Sequence, residues 1–352
     1  MNVVILHDRI ALGARADELD ALVQAEAISG ALSELGHRST ALPFSLNLSE
    51  VQDALRQRRP DAVFNIVESV EGYGRLIHLA PALLEAMGLS YTGASADGTF
   101  LTSNKVLTKR WLRANGMDTP DWSSLTDATR AFSNDRREED AIQGGTPFAP
   151  GSYIIKSVWE DASVGLDAAS IVRANDEETL RSAVRERLDR LGGAAFAERF
   201  VDGREFNLSI LEIDGGPQVL PPAEIHFVDY PADKPRIVDY EAKWDESSFG
   251  YSHTPRSFEF PASDASLIAQ LKHLAIRCWR LFELSGYARV DFRVDRDGKP
   301  WVLEINANPC LSPDAGFAAA VHRAGMEYAA PIDKIMASAL RRGARNRMAP
   351  GS

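Results

Sequence analysis

The sequence predicts an α/β protein built from three successive regions, and three observations carry that reading. Strand-like and helix-like segments alternate over roughly the first hundred residues, the pattern of a parallel sheet with helices on its faces. A polar, charged and then Gly/Pro-containing stretch at 123–151 interrupts the regular pattern. A strictly alternating pair of strand-like runs at 289–306 flanks Asp297-Gly298, a strong hairpin signal.

The elements follow in order. Val3–Leu6 is a short apolar strand. A helical pattern runs through Leu19, Leu22, Val23, Ile28 and Leu32, and Gly36 stands where a helix would stop. Ser39–Leu42 is a strand, Val51–Arg58 a helix, Ala62–Val67 a buried strand and Ile77–Met87 a helix closed by Gly88. The next region opens with a helix over Ser103–Asn115, Ser103 serving as its N-cap. Residues 123–151 read as an exposed connection. Tyr153–Lys156 is a strand, Asp176–Leu191 a helix and Ala195–Val201 a strand. The third region has strands at Phe206–Ile213 and Gln218–Val228, then a long structured loop at 229–257 of the kind that covers a site. A helix over Asp264–Leu284, the hairpin, a helix from Phe317 to Arg342 and a frayed tail complete the chain.

Composition excludes several functions. The 352 residues carry a net charge of −11, which disfavours nucleic acid or an anionic membrane as a partner through bulk charge. Cys278 and Cys310 form no CxxC pair, so neither a zinc site nor a disulfide framework is expected, and a reducing cytoplasm is the expected setting. The N-terminal apolar run is a first strand rather than a signal peptide, and no apolar run is long enough to span a membrane.

The hairpin is the most informative segment. With Asp297-Gly298 as the loop, Asp291 lies opposite Glu304 and Arg289 opposite Asn306. One face then carries Arg289, Asp291, Arg293, Val302, Glu304 and Asn306, and the other carries only apolar residues. Opposed carboxylates sit with Cβ atoms about 5 Å apart and repel unless a cation lies between them. An Asp, Glu and Asn oxygen set suits Mg²⁺ or Mn²⁺. Taken alone, the pattern fits equally a solvated face on which Arg289 and Arg293 neutralise the acids.

The run Leu303–Ser312 (LEINANPCLS) after a DFRVD strand resembles the metal-binding signature of ATP-grasp enzymes, and the chain is similar over nearly its whole length to D-alanine–D-alanine ligases. The resemblance rests on GLSYTG (88–93), SNK (103–105), YIIK (153–156), ASVG (162–165), AERFVDGREF (197–206), DYEAKW (239–244), GYARVDF (286–292) and AGMEY (324–328), in this order and spacing. It implies an ATP-grasp fold: an N-terminal parallel-sheet domain over 1–102, a central subdomain over 103–201 and a C-terminal subdomain with the metal site over 202–345. ATP would bind between the last two.

The resemblance also implies roles. Lys105 and Lys156 flank the phosphates, and Ser157–Gly165, with Ser163, is the loop that closes over them. Glu198 lies near the adenine amino group, Arg199 and Val201 read the ring with backbone atoms, and Glu205 holds the ribose. Lys243 reaches the γ-phosphate and Arg289 the transferring phosphate and developing oxyanion. Asp291, Glu304 and Asn306 hold two Mg²⁺ ions. The implied reaction turns a substrate carboxylate into an acyl phosphate, which a substrate amine then attacks to form an amide. The same residues allow a kinase without an amine acceptor, or a nucleotide-binding protein without catalysis. The partners are small molecules, and a homodimer is the family expectation.

The substrate-reading positions depart from that family. Members usually carry Ser where Ala162 stands, Tyr where Trp244 stands, Gly at Cys310 and a carboxylate-binding Ser at Ala315. The substrate pair is therefore expected to differ from D-Ala/D-Ala. Glu18 aligns only loosely with the N-terminal Glu that binds substrate. The Phe64–Arg75 segment spans the end of a buried strand and the loop after it, where ligands commonly bind; Asn65, Glu68, Glu71 and Arg75 face that cleft, and Glu68 is the candidate for a substrate amine. A polar loop with capping roles fits that segment equally well. Trp244, Cys310 and Ser312 are further substrate-side candidates, Cys310 reading as a packing residue rather than a nucleophile. His226 and His253 bracket the long loop and are weaker candidates for the pocket wall.

Overall fold

A computed structural model describes residues 1–11, 13–124 and 145–348. Most of the connection expected at 123–151, and the end of the expected tail, lie outside the described residues. The first sheet is parallel, with β1 (Asn2–Asp8) between β2 (Arg38–Phe44) and β3 (Ala62–Asn65). Parallel neighbours need crossovers, and α1 (Ala16–Glu34) and α2 (Leu48–Arg58) supply them. At the start of α1 the Arg15 N–H donates to Glu18 Oε2 at 2.7 Å, so Glu18 caps its own helix. The helix α3 (Leu79–Ala86) follows.

The helix expected from Ser103 is two helices, α4 (Ala96–Ser103) and α5 (Lys105–Ala114). Asn104, not Ser103, is the N-cap of α5: its extended backbone breaks the helix and its side chain accepts the Leu107 N–H at 2.9 Å. Ser103 instead bonds back to the Phe100 carbonyl. The second sheet is antiparallel, formed by β4 (Trp122–Ser124), β5 (Gly151–Ser157), β6 (Ile171–Ala174) and β7 (Ala195–Arg199) in the order β4-β7-β5-β6. The helix α6 (Glu177–Arg187) packs its Leu180 and Val184 against β5 and β7.

The third sheet contains β8 (Gly203–Ile213), β9 (Gly216–Val219), β10 (Ala223–Ile225), β11 (Arg256–Ser257), β12 (Tyr287–Asp295) and β13 (Pro300–Asn306). Its path is β11-β10-β8-β12-β13, with β9 paired to β8. The single strand expected over Gln218–Val228 is split because Pro221 and Pro222 offer no backbone donors. The loop between β10 and β11 holds two short helices, α7 (Tyr240–Trp244) and α8 (Phe249–His253). The long helix α9 (Ala265–Leu281) precedes the hairpin. The expected C-terminal helix is also two, α10 (Gly316–Arg323) and α11 (Ala329–Met348). Gly325, at φ +77°, turns the chain, and the Met326 N–H closes onto the Val321 carbonyl at 3.2 Å. Helix α11 continues through Met348, where a frayed tail was expected.

The hairpin keeps the expected pairing at its functional end and departs from it near the turn. Arg289 faces Asn306 and Asp291 faces Glu304. Beyond them Phe292 faces Val302, and Asp295 N–H bonds to Lys299 O, so the loop holds Arg296, Asp297 and Gly298. The extra loop residue is compensated by a bulge at Leu303. That bulge moves Val302 from the polar face into the core, where it is 1% exposed, and turns Leu303 to the cavity side. Trp301, expected in the apolar layer, lies half-buried with its Nε1 donating to Asp295 Oδ2 at 2.8 Å. The one apolar residue that spoiled the expected polar face is thus accounted for.

One large buried cluster joins the first region to the last. Val3, Ile5, Ile28 and Phe64 pack in one core with Tyr287, Phe317 and Ile335. A second core lies between the third sheet and α9, around Phe206, Leu271, Phe292 and Val302. Among the described residues, no helix is long and apolar enough to cross a membrane. The bulge has a measurable consequence: Val302→Ala should cost about 2 kcal/mol in chemical denaturation, and Trp301→Ala less than half of that. The reverse ranking would mean that the hairpin keeps its unbulged register.

Candidate active site

A cavity of about 460 Å³ is walled by the second and third sheets, the loop that carries α7, and the inner face of α1. Strand β12 brings Arg289 and Asp291 to it, β13 brings Glu304 and Asn306, β5 brings Lys156, and the start of α5 brings Lys105. Lys243 comes from α7.

The acidic pair is held by cations. Arg289 grips Asp291 with two bonds of 2.8 Å and lies 3.9 Å from Glu304. Asn207 Nδ2 donates a further bond of 2.8 Å to Asp291. Burial would raise the Glu304 carboxyl, but Lys105, Lys243 and Arg289 outweigh it and hold its pKa at about 2. Burial pushes Lys243 down from its ordinary value, with Arg289 adding to the effect. Among the described residues Lys243 has no hydrogen-bond or ion-pair partner, so its ammonium is free to meet an anion. Lys105 donates to the Glu160 carbonyl at 2.9 Å and to Asp161 at 2.5 Å.

The donor set fits a hard divalent cation. Ionised Glu304, Asp291 opposite it and Asn306 beyond are all oxygen donors on one strand face. Asp291 can accept more than its present bonds, because a carboxylate offers about four lone-pair directions. Among the described residues, no group of three His, Cys, Asp or Glu side chains is arranged to hold a metal; the hairpin set is two carboxylates and an amide.

The residues that the resemblance assigns to the nucleotide divide. Glu198, Val201 and Glu205 line the cavity. Glu198 is buried between Lys156, at 2.7 Å, and Lys109, so its carboxylate is already paired. Glu205 accepts from Arg293 at 2.6 Å. Arg199 is not on the cavity wall: its N–H bonds to the Asp121 carbonyl, and its guanidinium to the carbonyls of Ala149 and Pro150.

The 157–165 loop is docked over the cavity by unexpected atoms. Ala162 and Ser163 are in the left-handed region, φ +55° and +60°, a strained setting for two residues with side chains. Trp244 Nε1 donates to the Ala162 carbonyl at 3.2 Å, and Ser163 Oγ to the Val238 carbonyl at 2.9 Å. Tyr240 O–H then reaches Asp17 on α1 at 2.8 Å, and Arg15 grips Asp17 in turn. Ala162 and Trp244 carry no hydroxyl, and the contacts that dock the loop come from an indole N–H, Ser163 and Tyr240.

Part of the cavity wall is acidic. Asp20 accepts from Ser312 Oγ at 2.6 Å and Cys310 Sγ at 2.9 Å, and Gln24 donates to both Asp20 and Glu68. Burial pushes the Glu68 carboxyl up to about 8, with Asp8 and Asp20 adding to it and Gln24 opposing. Burial also raises the Cys310 thiol, which makes it a poor nucleophile. Of the four candidates after β3, only Glu68 lines the cavity; Asn65 caps the Val67 N–H, and Glu71 and Arg75 lie off the wall. His226 and His253 also lie off it, His253 stacking on Phe249 at 3.8 Å.

Sequence reading missed Asp17, Asp20 and Gln24, and a signal was present. They lie three and four residues apart on one helix face, while Leu19, Leu22 and Val23 on the other are 47%, 44% and 51% exposed. The first half of α1 is polar inward and apolar outward, the reverse of an ordinary surface helix.

Several known proteins resemble the chain. Residues 111–337 match the family described as D-ala D-ala ligase C-terminus. The D-alanine–D-alanine ligase of Synechococcus sp. (strain JA-3-3Ab) is 30% identical over 99% of this chain and 97% of its own. That of Aquifex aeolicus is 26% identical over 96% of this chain and 100% of its own. Among solved structures, the Bacillus anthracis D-alanine–D-alanine ligase complexed with ATP superposes with a TM-score of 0.71 at 20% identity, covering 98% of this chain and 99% of that one.

Glu68 yields a pH prediction. Unfolded, it ionises near its ordinary value of 4.5; folded, only near 8. Unfolding therefore releases a proton between those values, and stability falls as pH rises through that window. Glu68→Gln should remove this loss, so its stability relative to the unsubstituted protein should rise by on the order of 4 kcal/mol from pH 5 to pH 9. Parallel pH curves for the two proteins in thermal denaturation would contradict the assignment.

Proposed function

The chain belongs to the D-alanine–D-alanine ligase family of ATP-dependent enzymes that form C–N bonds, and from that premise we propose that it joins an amino-acid-like carboxylate to an amine in a pair other than D-Ala/D-Ala. One observation carries the catalytic part of the reading: Lys105, Lys156, Lys243 and Arg289 converge with the Asp291–Glu304 pair on a single cavity. A triphosphate needs that concentration of cations, and a free Lys243 suits its terminal phosphate.

Asp291, Glu304 and Asn306 are the residues that would hold Mg²⁺ or Mn²⁺, as two ions. Bound there, the ions supply charge neutralisation at the phosphates during transfer. The chain's own side chains do the rest. Lys105 and Lys156 orient the nucleotide, Glu205 takes the ribose, and Val201 borders the base. Arg289 faces the carboxylate that attacks the γ-phosphate and stabilises the oxyanion formed when the amine attacks the acyl phosphate. The 157–165 loop, pinned by Trp244, Ser163 and Tyr240, keeps water from that acyl phosphate.

The substrate part of the reading rests on other residues of the same cavity wall. Ala162, Trp244 and Ala315 line it without a hydroxyl, and Glu68 and Asp20 add acid to it. With only Gln24 donating to it, Glu68 is protonated at neutral pH, and an ammonium group beside it would draw its proton off and pair with the carboxylate. Cys310 and Ser312 border the same space through Asp20.

The test is release of ADP and phosphate with ATP and Mg²⁺ across single and paired D- and L-amino acids, with mass spectrometry of the products. Release that requires a pair, with a new amide mass other than D-alanyl-D-alanine, is expected. Efficient D-alanyl-D-alanine synthesis would overturn the substrate reading, and phosphate transfer to a hydroxyl would overturn the ligase reading. Glu304→Ala should lower turnover by at least about a hundredfold while leaving the circular dichroism spectrum unchanged. Full activity in that variant would remove the metal assignment.

A further inference from the structure

Lys109 is fully buried and lies one helical turn after Lys105, on the same side of α5. It does not line the cavity. Its ammonium has three neighbours. It is ion-paired with Glu198, donates to Thr119 Oγ1 at 2.8 Å, and sits 6.0 Å from the Trp122 ring. Thr119 Oγ1 donates onward to the Val302 carbonyl at 2.8 Å, and the Val302 N–H bonds to the Asp118 carbonyl at 2.9 Å. Val302 is the residue beside the bulge that aims Leu303 and Glu304. A buried polar line therefore runs from Lys156 through Glu198, Lys109 and Thr119 to the metal-site strand. It links the second sheet to the third.

We propose that Lys109 is a positioning residue for the nucleotide: by holding Glu198 it leaves the charge of Lys156 available to the phosphates, without touching them itself. The inference rests on the reading that the cavity takes ATP. Its logic is electrostatic. Glu198 between two lysines forms a group of net charge +1, and only Lys156 of the two faces the cavity. Without the Lys109 charge, Glu198 has Lys156 as its only counter-ion. The group becomes neutral, and the cavity loses a cation in a region where water screens weakly. Thr119 fixes where the Lys109 ammonium sits, so the position of Lys156 is referred to β13.

Burial pushes Lys109 down to about 8, while its two lysine partners hold Glu198 below its ordinary range. The carboxylate thus stays ionised, which is the state the argument requires. Removal of Lys109 leaves that charge to Lys156 alone.

The experiment compares Lys109→Met, which removes the charge, with Lys109→Arg, which keeps it. ATP·Mg affinity is read by calorimetry, and KM for ATP and kcat by ADP release. Lys109→Met should weaken ATP about tenfold, chiefly through KM, and Lys109→Arg should stay within about threefold of the unsubstituted protein. Unchanged ATP affinity in Lys109→Met would overturn the proposal. So would an equal loss in Lys109→Arg and Lys109→Met, since that describes a packing role and not a charge. If Lys109→Met does not fold, Thr119→Val carries the test: it unseats the Lys109 ammonium without removing its charge, ATP binding weakened about threefold supports the proposal, and unchanged binding overturns it. Calorimetry separates this inference from the ligase reading: a protein that binds ATP but joins no substrates would sink only the latter.

Discussion

Two carboxylates, Asp291 buried and Glu304 half-buried, face each other on adjacent strands, and the surrounding structure makes that tolerable. Asp291 and Glu304 cannot both stay ionised so close together without cations nearby. Arg289 supplies one from the next inward position of β12, Lys105 another from the first turn of α5, and Lys243 a third from α7. These come from three parts of the chain, so the acidic pair can be offset only when the α5 start and the α7 loop are both in place. The pair thereby ties the assembly of the cavity to its charge.

The same dependence reaches the loop over the cavity. Two successive left-handed residues at Ala162 and Ser163 store strain that an isolated loop would relax. They are held by Trp244 and Ser163 bonding across to the facing loop, and by Tyr240 reaching Asp17 on α1. Asp17 is steered by Arg15, and the preceding backbone by the Arg15–Glu18 cap. The helix nearest the N-terminus therefore takes part in covering a site whose cations come from the other two regions. Its partnership with α11 and β12 in one hydrophobic core gives that contact a rigid base.

Acid also lines the cavity. Asp20 and Glu68, joined by Gln24, share its wall with the lysines and Arg289. Asp20 reaches the wall because α1 is polar on its inner face, which leaves Leu19, Leu22 and Val23 outside.

Much was legible from the chain by itself. The period-two alternation of the hairpin determined that Asp291 meets Glu304 and Arg289 meets Asn306, because any slip would carry charge into the apolar layer. The alternation of strands and helices in the first region determined a parallel sheet. The lysines were legible only through the order of motifs, since a lone Lys carries no signal. Other features were decided by tertiary structure. The Leu303 bulge arises because Val302 is drawn into the core against α9 and Phe292, a packing preference that no local period records. Lys109 meets Glu198 from 89 positions away, and Trp244 meets Ala162 from 82 positions away, across sheets whose relative placement sets the distance. Periodicity along a chain reports which side of an element faces the core. It does not report which distant polar atom waits there, and in this protein those distant atoms hold the charges and the loop in place.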